Sequence, residues 1–167
     1  MDLHILNGIL LGFGSSAMES MSLEQRLAYL CRVEFRDASG VRLQVFVIGR
    51  PKALQPAVQE QMYLIAREAL VNALRHSEAT SIETEVEYLP RRLRIRVRDN
   101  GCGIDPKTVQ PGNPAHCGLR GMRDRANGIG AKLQIWSRPG AGTEVEISVR
   151  PCAGDLLQGE KRWRFRT

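Results

Sequence analysis

The chain has 167 residues, 43% of them apolar and 25% charged. That is enough for one domain with a proper core, and too apolar for a disordered chain. With aromatics at only 5% the core must be aliphatic, and a net charge of +6 permits contact with phosphates or nucleic acid without requiring it.

The first apolar stretch, Ile5 to Phe13, is broken by Asn7, Gly8 and Gly12. It falls well short of the roughly 20 apolar residues of a membrane span. It also lacks the cationic start and cleavage site of a signal peptide, so it reads as a helix end or a partner-facing segment. Ser22 can cap a helix with Gln25 as its reciprocal partner, and Leu23, Leu27, Leu30 and Cys31 recur at helical spacing to about Asp37. Ser39-Gly40 ends that helix. A strand follows from Val41 to Ile48, and Gly49-Arg50-Pro51 breaks it. A long helix is predicted over Pro56–His76, with Val58, Met62, Ile65, Ala66, Ala69, Leu70 and Ala73 as its apolar stripe. Glu68, Asn72 and His76, four apart, form a second and polar stripe, flanked by Arg75.

Two strands come next, Ser81–Tyr88 and Arg92–Asp99, joined around Leu89-Pro90. One face of the pair carries Ile82, Thr84, Val86, Leu93, Ile95 and Val97. The other sets Glu83, Glu85 and Glu87 against Arg92, Arg94, Arg96 and Arg98. Cross-strand pairing on a wet face accounts for such a ladder better than a nucleic-acid stripe, which needs a patch of one sign. Asp99 shares the parity of Leu93, Ile95 and Val97 and so points inward, which is costly unless something pairs with it. Asn100-Gly101-Cys102-Gly103 then turns the chain. Asp105–Cys117, holding Pro106, Pro111, Gly112 and Pro114, reads as a loop. A helix is predicted from Gly118 to about Asn127, with Leu119, Met122 and Ala126 on its apolar side. Strands Lys132–Ser137 and Thr143–Val149 close the fold around an Arg138–Gly142 hairpin turn, with Thr143 facing inward.

Cys31, Cys102, Cys117 and Cys152 form no CxxC pair, and the expected state is free thiols in a reducing compartment. Cys102 and Cys117, with His116, match no zinc spacing. The basic run Lys161–Arg166 reads as a solvated end.

Singly these signals are weak, but in order and spacing they coincide with a known pattern. Glu68–His76 resembles the N box of the histidine-kinase branch of the GHKL ATPases, Asp99–Ile104 the G1 box, His116–Ala126 the G2 box, and Arg138–Thr143 the closing glycine-threonine motif. The G2 wording is most similar to the nitrate-sensor and DesK-like kinases. The resemblance covers about Ser22 to Val149. It implies the Bergerat fold: an α+β two-layer sandwich, its mixed, mainly antiparallel sheet covered on one face by helices. It implies ATP and Mg²⁺ as cofactors, with Asn72 as the magnesium ligand through its amide oxygen. Asp99 would accept a hydrogen bond from the adenine amino group, and Thr143 would assist at the same ring edge. Gly101, Gly103, Ile104, Gly118, Leu119, Gly121 and Met122 would line the nucleotide, the amides at Gly118-Leu119 starting a helix that favours phosphate. Arg75 and His76 would contact phosphate oxygens, and Glu68 would polarise the incoming imidazole or a water. Asp105–Cys117 would be the ATP lid.

Residues 22–150 are then the ATP-binding catalytic domain, 1–21 a remnant of a dimerisation helix or a flexible segment, and 151–167 a basic tail. The expected partners are ATP or ADP, a helical domain that dimerises and carries the phosphoacceptor histidine, and a response regulator. No specific nucleic acid and no membrane contact by this domain are expected. The expected location is the cytoplasm, including the cytoplasmic part of a membrane-anchored sensor. His4 is followed by Ile5 rather than by an acid, so it lacks the acid/base neighbour of the family's phosphoacceptor. Two alternatives stay open: a nucleotide-binding regulatory or pseudokinase module, and a GHKL serine kinase of the anti-sigma type. Asn72, Asp99, Gly101, Gly103 and Thr143 argue against the first, and the wording of Glu68–His76 and His116–Arg125 argues against the second.

Overall fold

Period-two alternation builds one sheet here, and a single long apolar stripe covers it. The computed structural model describes residues 4–5, 21–35, 40–104 and 114–150. In chain order its elements are β1 (His4–Ile5), α1 (Leu23–Tyr29), β2 (Arg42–Ile48), α2 (Pro56–His76), β3 (Ser81–Leu89), β4 (Arg92–Asp99), α3 (Pro114–Gly128), β5 (Lys132–Ser137) and β6 (Thr143–Val149). The strands lie in the order β1-β2-β3-β4-β6-β5. Only β2 and β3 pair in parallel, as strands joined by a crossover helix such as α2 must; the remaining pairs are antiparallel. The expected α+β sandwich with a mixed, mainly antiparallel sheet is the observed architecture.

The inner face of the sheet carries Ile82, Thr84, Val86, Leu93, Ile95, Val97, Val145, Ile147 and Val149, all buried. Met62, Ile65 and Leu70 of α2 and Met122 of α3 press onto that side and are fully buried. The outer face carries the expected charge ladder, and its register sets Glu83 opposite Arg98, Glu85 opposite Arg96 and Glu87 opposite Arg94. β6 adds a second acidic row that the sequence reading did not reach, with Glu144 opposite Arg98 and Glu146 opposite Arg96. Arg94 bridges to Glu87 at 2.5 Å and to Glu146 at 3.5 Å, binding three strands side to side.

Five features differ from expectation. Ile5, expected in a helix end or a partner-facing segment, lies in a two-residue strand beside Phe46; residues 6–20 lie outside the described residues. α1 ends at Tyr29, and a π turn over Leu30–Glu34 takes up the last predicted turn before Phe35. β2 begins at Arg42 and β3 runs to Leu89. α3 begins at Pro114, four residues before the predicted Gly118. Proline has its φ set for a helix's first turn, where no N–H is needed, so a proline that read as loop is in fact a helix start.

α1 is pinned by polar contacts rather than by length. Gln25 Oε1 accepts the Ser22 backbone N–H at 3.0 Å, as the capping pattern predicted. Arg26 meets Glu60 of α2 at 2.6 Å and lies over the Tyr63 ring, 3.9 Å from its centroid. The buried Glu24 carboxylate accepts the Tyr88 hydroxyl at 2.6 Å and the Ser22 hydroxyl at 2.6 Å. Burial and that carboxylate together push the Tyr88 phenol far above its ordinary pKa. Among the described residues no helix is long and apolar enough to cross a membrane. Removing the Tyr88 hydroxyl leaves part of a buried carboxylate without a donor. Tyr88→Phe is expected to lower the unfolding free energy by about 1–3 kcal/mol, and adding Glu24→Met to recover most of it; urea unfolding of the three proteins checks this.

Candidate functional site

β4 ends with its last side chain turned inward, as parity predicted, and Asp99 is only 6% exposed. Burial raises its carboxyl above the ordinary aspartate range, opposed by the N–H groups of Gly101 and Thr143. Both donate to the same oxygen, Oδ1, at 2.9 and 3.2 Å. Among the described residues no other hydrogen bond reaches the carboxylate, so Oδ2 is left for a donor from outside.

Thr143 opens β6 on the same inner side and pairs with Ser137 of β5. Their hydroxyl oxygens are 3.0 Å apart, and Ser137 Oγ also lies 3.0 Å from the Gly142 carbonyl and accepts the Ile104 N–H at 2.8 Å. A hydroxyl has one proton. Given to Gly142, it leaves Thr143 as donor to Ser137, with the Thr143 lone pairs free to accept. Ser137 therefore holds both G1 and the closing hairpin, a role the sequence reading missed. Its inward parity with Leu133 and Ile135 was the available signal.

The turn between Asn100 and Gly103 is fixed from both sides. The Asn100 amide oxygen accepts the Thr80 and Ser81 N–H groups at 3.0 and 2.9 Å, also unforeseen. Cys102 donates its N–H to the Ser77 carbonyl at 2.6 Å and accepts that of Gly140 at 2.6 Å. Gly101, buried, has its α-carbon against the same Ser77 carbonyl. Gly103 (φ +73°) and Gly142 (φ +80°) interlock: a Cβ on the first would strike the Arg138 carbonyl, and on the second the Asp99 carbonyl. Asp99, Ile135, Ser137, Gly142 and Thr143 thereby line an open cleft of about 570 Å³ at the sheet edge.

Glu68 and Asn72 do not line that cleft. They form a neighbouring cluster on α2, where the Asn72 amide Nδ2 lies 3.4 Å from Glu68 Oε1. That orientation leaves the Asn72 oxygen unengaged by Glu68. α3 passes over them at Gly118, where any Cβ would collide with the Glu68 carboxylate and lie 3.4 Å from the Asn72 amide. The last turn of α2 joins the clusters: the Ser77 hydroxyl donates to the Ala73 carbonyl, and the Ser77 carbonyl holds Cys102. Arg75 and His76 are exposed on that turn, and the Cys102 thiol lies 3.4 Å from the His76 carbonyl.

α3 starts at Pro114, so the Gly118 and Leu119 amides lie within the helix, beyond the four that a helix start leaves free. Gly121 lies further along the helix, near the Arg125 guanidinium. Leu119 and Met122 are 9% and 0% exposed and seat α3 on the core rather than line the cleft. Most of the predicted lid, residues 105–113, lies outside the described residues, and residues 114–117 are helical. Cys31 and Cys102 are free thiols, and burial pushes the Cys31 thiol up to about 12. Among the described residues no group of three His, Cys, Asp or Glu could hold a metal ion. A cation here would rest on the Asn72 oxygen and on ligand oxygens, a donor set that suits Mg²⁺.

The family model described as histidine kinase-, DNA gyrase B-, and HSP90-like ATPase matches residues 57–152. The nitrate/nitrite sensor protein NarX of Escherichia coli (strain K12) is 35% identical over 102 residues, which is 60% of this chain and 17% of that protein. Sensor histidine kinase LiaS of Bacillus subtilis (strain 168) is 28% identical over 144 residues, 86% of this chain and 38% of that one. The chain therefore spans less than half the length of these curated relatives. Among solved structures, the histidine kinase domain of the Erythrobacter litoralis EL346 blue-light activated histidine kinase superposes with a TM-score of 0.65 at 23% identity, covering 77% of this chain and 65% of that one. Full-length ShkA in complex with AMPPNP gives 0.61 at 18% identity, covering 89% and 31%.

Because burial raises the Asp99 pKa in the folded state, the protonated form favours folding. That contribution is complete below the unfolded pKa of about 3.9 and is lost as pH rises through the higher folded value. The ligand-free Asp99→Asn variant is therefore expected to be more stable than the parent at neutral pH, with the gap closing as pH falls below the ordinary carboxylate range. Unfolding midpoints measured across pH check this.

Proposed function

We propose, because the chain belongs to the histidine kinase-, DNA gyrase B- and HSP90-like ATPases and carries the ATP-binding catalytic domain of a histidine kinase, that the Asp99 cleft reads the adenine of Mg-ATP while the Asn72 cluster holds its phosphate end. The observation carrying this is the inward Asp99 carboxylate. One oxygen is saturated by backbone N–H groups, and the other is left at the edge of an open cleft. An exocyclic amino group supplies the donor that a desolvated carboxylate lacks. Thr143, with lone pairs free, accepts at the same ring edge directly or through water.

Phosphoryl transfer asks mainly for positioning and charge neutralisation, which suits a site without a nucleophile of its own. Asn72 would hold Mg²⁺ through its amide oxygen, and the ion would neutralise charge on the phosphate oxygens when bound. Arg75 and His76, exposed at the end of α2, would meet phosphate oxygens. Glu68 would accept the imidazole proton as its nitrogen attacks the γ-phosphorus and the bond to the ADP oxygen breaks. The Gly118 contact sets how closely α3 covers Glu68. The acceptor would be a histidine on a separate helical domain, which then passes the phosphoryl group to a response regulator. Residues 22–150 would be the catalytic unit, working in the cytoplasm.

Calorimetric titration with ADP, with and without Mg²⁺, tests the assignment. Asp99→Asn is expected to weaken ADP binding about tenfold or more, the range for losing a hydrogen bond to a charged group. Asn72→Ala is expected to bind ADP without any gain from Mg²⁺. Parent-like behaviour of both variants would contradict the site. Addition of a separate phosphoacceptor domain should give phosphohistidine from ATP with the parent and none with Asn72→Ala.

A further inference from the structure

The ladder on the outer face of the sheet runs out at one end. Arg94, Arg96 and Arg98 each stand opposite a glutamate, but Arg92 stands opposite Leu89. β6 brings no acid there, since its pairing with β4 stops at Leu93 opposite Val149. Arg92 shares this end with Arg91 in the β3–β4 turn, Lys52 ahead of α2, and Arg150 just past β6. These cations line a cleft of about 430 Å³ whose apolar wall includes Leu54 and Leu89, and no carboxylate lines it. All four are exposed, and among the described residues none makes an ion pair. Lys52 Nζ is tied to the Leu89 and Pro90 carbonyls at 3.2 and 3.3 Å, so its charge is fixed at the turn. The cleft lies at the opposite end of β4 from Asp99, roughly 24 Å away by strand rise.

Like charges held together by a rigid turn repel, and an anion between them relieves that repulsion. Three guanidinium forks beside one ammonium match a multiply charged tetrahedral oxyanion better than a single carboxylate, because each fork takes two oxygens. The volume falls in the range of small-molecule sites, and the apolar wall can seat the carbon part of an organic phosphate. We propose that this distal cleft binds a phosphate-bearing anion, free or as the headgroup of an acidic lipid.

The test is a titration of the full chain with inorganic pyrophosphate, followed by amide ¹H–¹⁵N correlation spectra, which locate the site independently of nucleotide binding. Shifts are expected at Arg91, Arg92, Leu93 and Arg150. A parallel arm measures co-sedimentation with phosphatidylcholine vesicles, with and without phosphatidylglycerol. Saturable pyrophosphate shifts without vesicle binding support the site and assign it to free phosphates. Binding only to vesicles containing phosphatidylglycerol supports it and assigns it to lipid. In either case the Arg91→Ala, Arg92→Ala double variant and, separately, Arg150→Ala should weaken binding about tenfold or more. Their amide spectra should otherwise match the parent's, which shows that the fold is kept. Shifts confined to Gly101–Ile104 and the end of α2, binding unchanged in both variants, or no binding in either arm would overturn the proposal.

Discussion

The site depends on one carboxylate placed where a sheet would ordinarily put an apolar side chain. Asp99 faces the core side because strand parity gives it no other choice, and the chain around it is arranged to tolerate that. Two backbone N–H groups from opposite sides of the cleft, one in the turn after β4 and one at the start of β6, fall on a single oxygen. Those bonds offset only part of the desolvation, as the raised pKa indicates. The remainder is a standing cost to the empty protein, and a donor brought by a ligand removes it.

The glycines and the end of α2 follow from that placement. Asp99 Oδ1 can collect both N–H groups only if the Gly101–Gly103 turn and the Arg138–Gly142 hairpin approach within van der Waals contact. Any side chain at Gly103 or Gly142 would strike carbonyl oxygens there. Ser77, Asn100 and Ser137 then carry the hydrogen bonds that keep these turns in register with α2, β3 and β5. The Asn72–Glu68 cluster therefore keeps a fixed relation to the Asp99 cleft, although the two do not line one cavity. A shift of the final α2 turn would move both, and Gly118 lets α3 lie close over Glu68 and Asn72.

Features written in local periodicity were legible in the sequence. α2 over Pro56–His76, the β3–β4 pair, the inward parity of Asp99 and Thr143, and the Glu–Arg ladder all follow from spacings of two or near 3.6 residues. What depends on partners distant in sequence was not legible. The insertion of β6 between β4 and β5 and the acidic row from Glu144 and Glu146 are examples, and so is the contact of Gly118 with Glu68. The helix start at Pro114 was hidden because proline marks both loops and first turns. The roles of Ser137 and Asn100 lie in single hydrogen bonds across the fold, which no period records.

In the proposed site the Asp99 carboxylate reads the amino group of adenine. Comparing the affinities of the parent protein for ADP and inosine diphosphate tests it most directly, since hypoxanthine presents a carbonyl where adenine presents that donor, placing lone pair against lone pair. ADP is expected to bind tighter by about tenfold or more, as for a site built around one substrate hydrogen bond. Equal affinities for the two would contradict it.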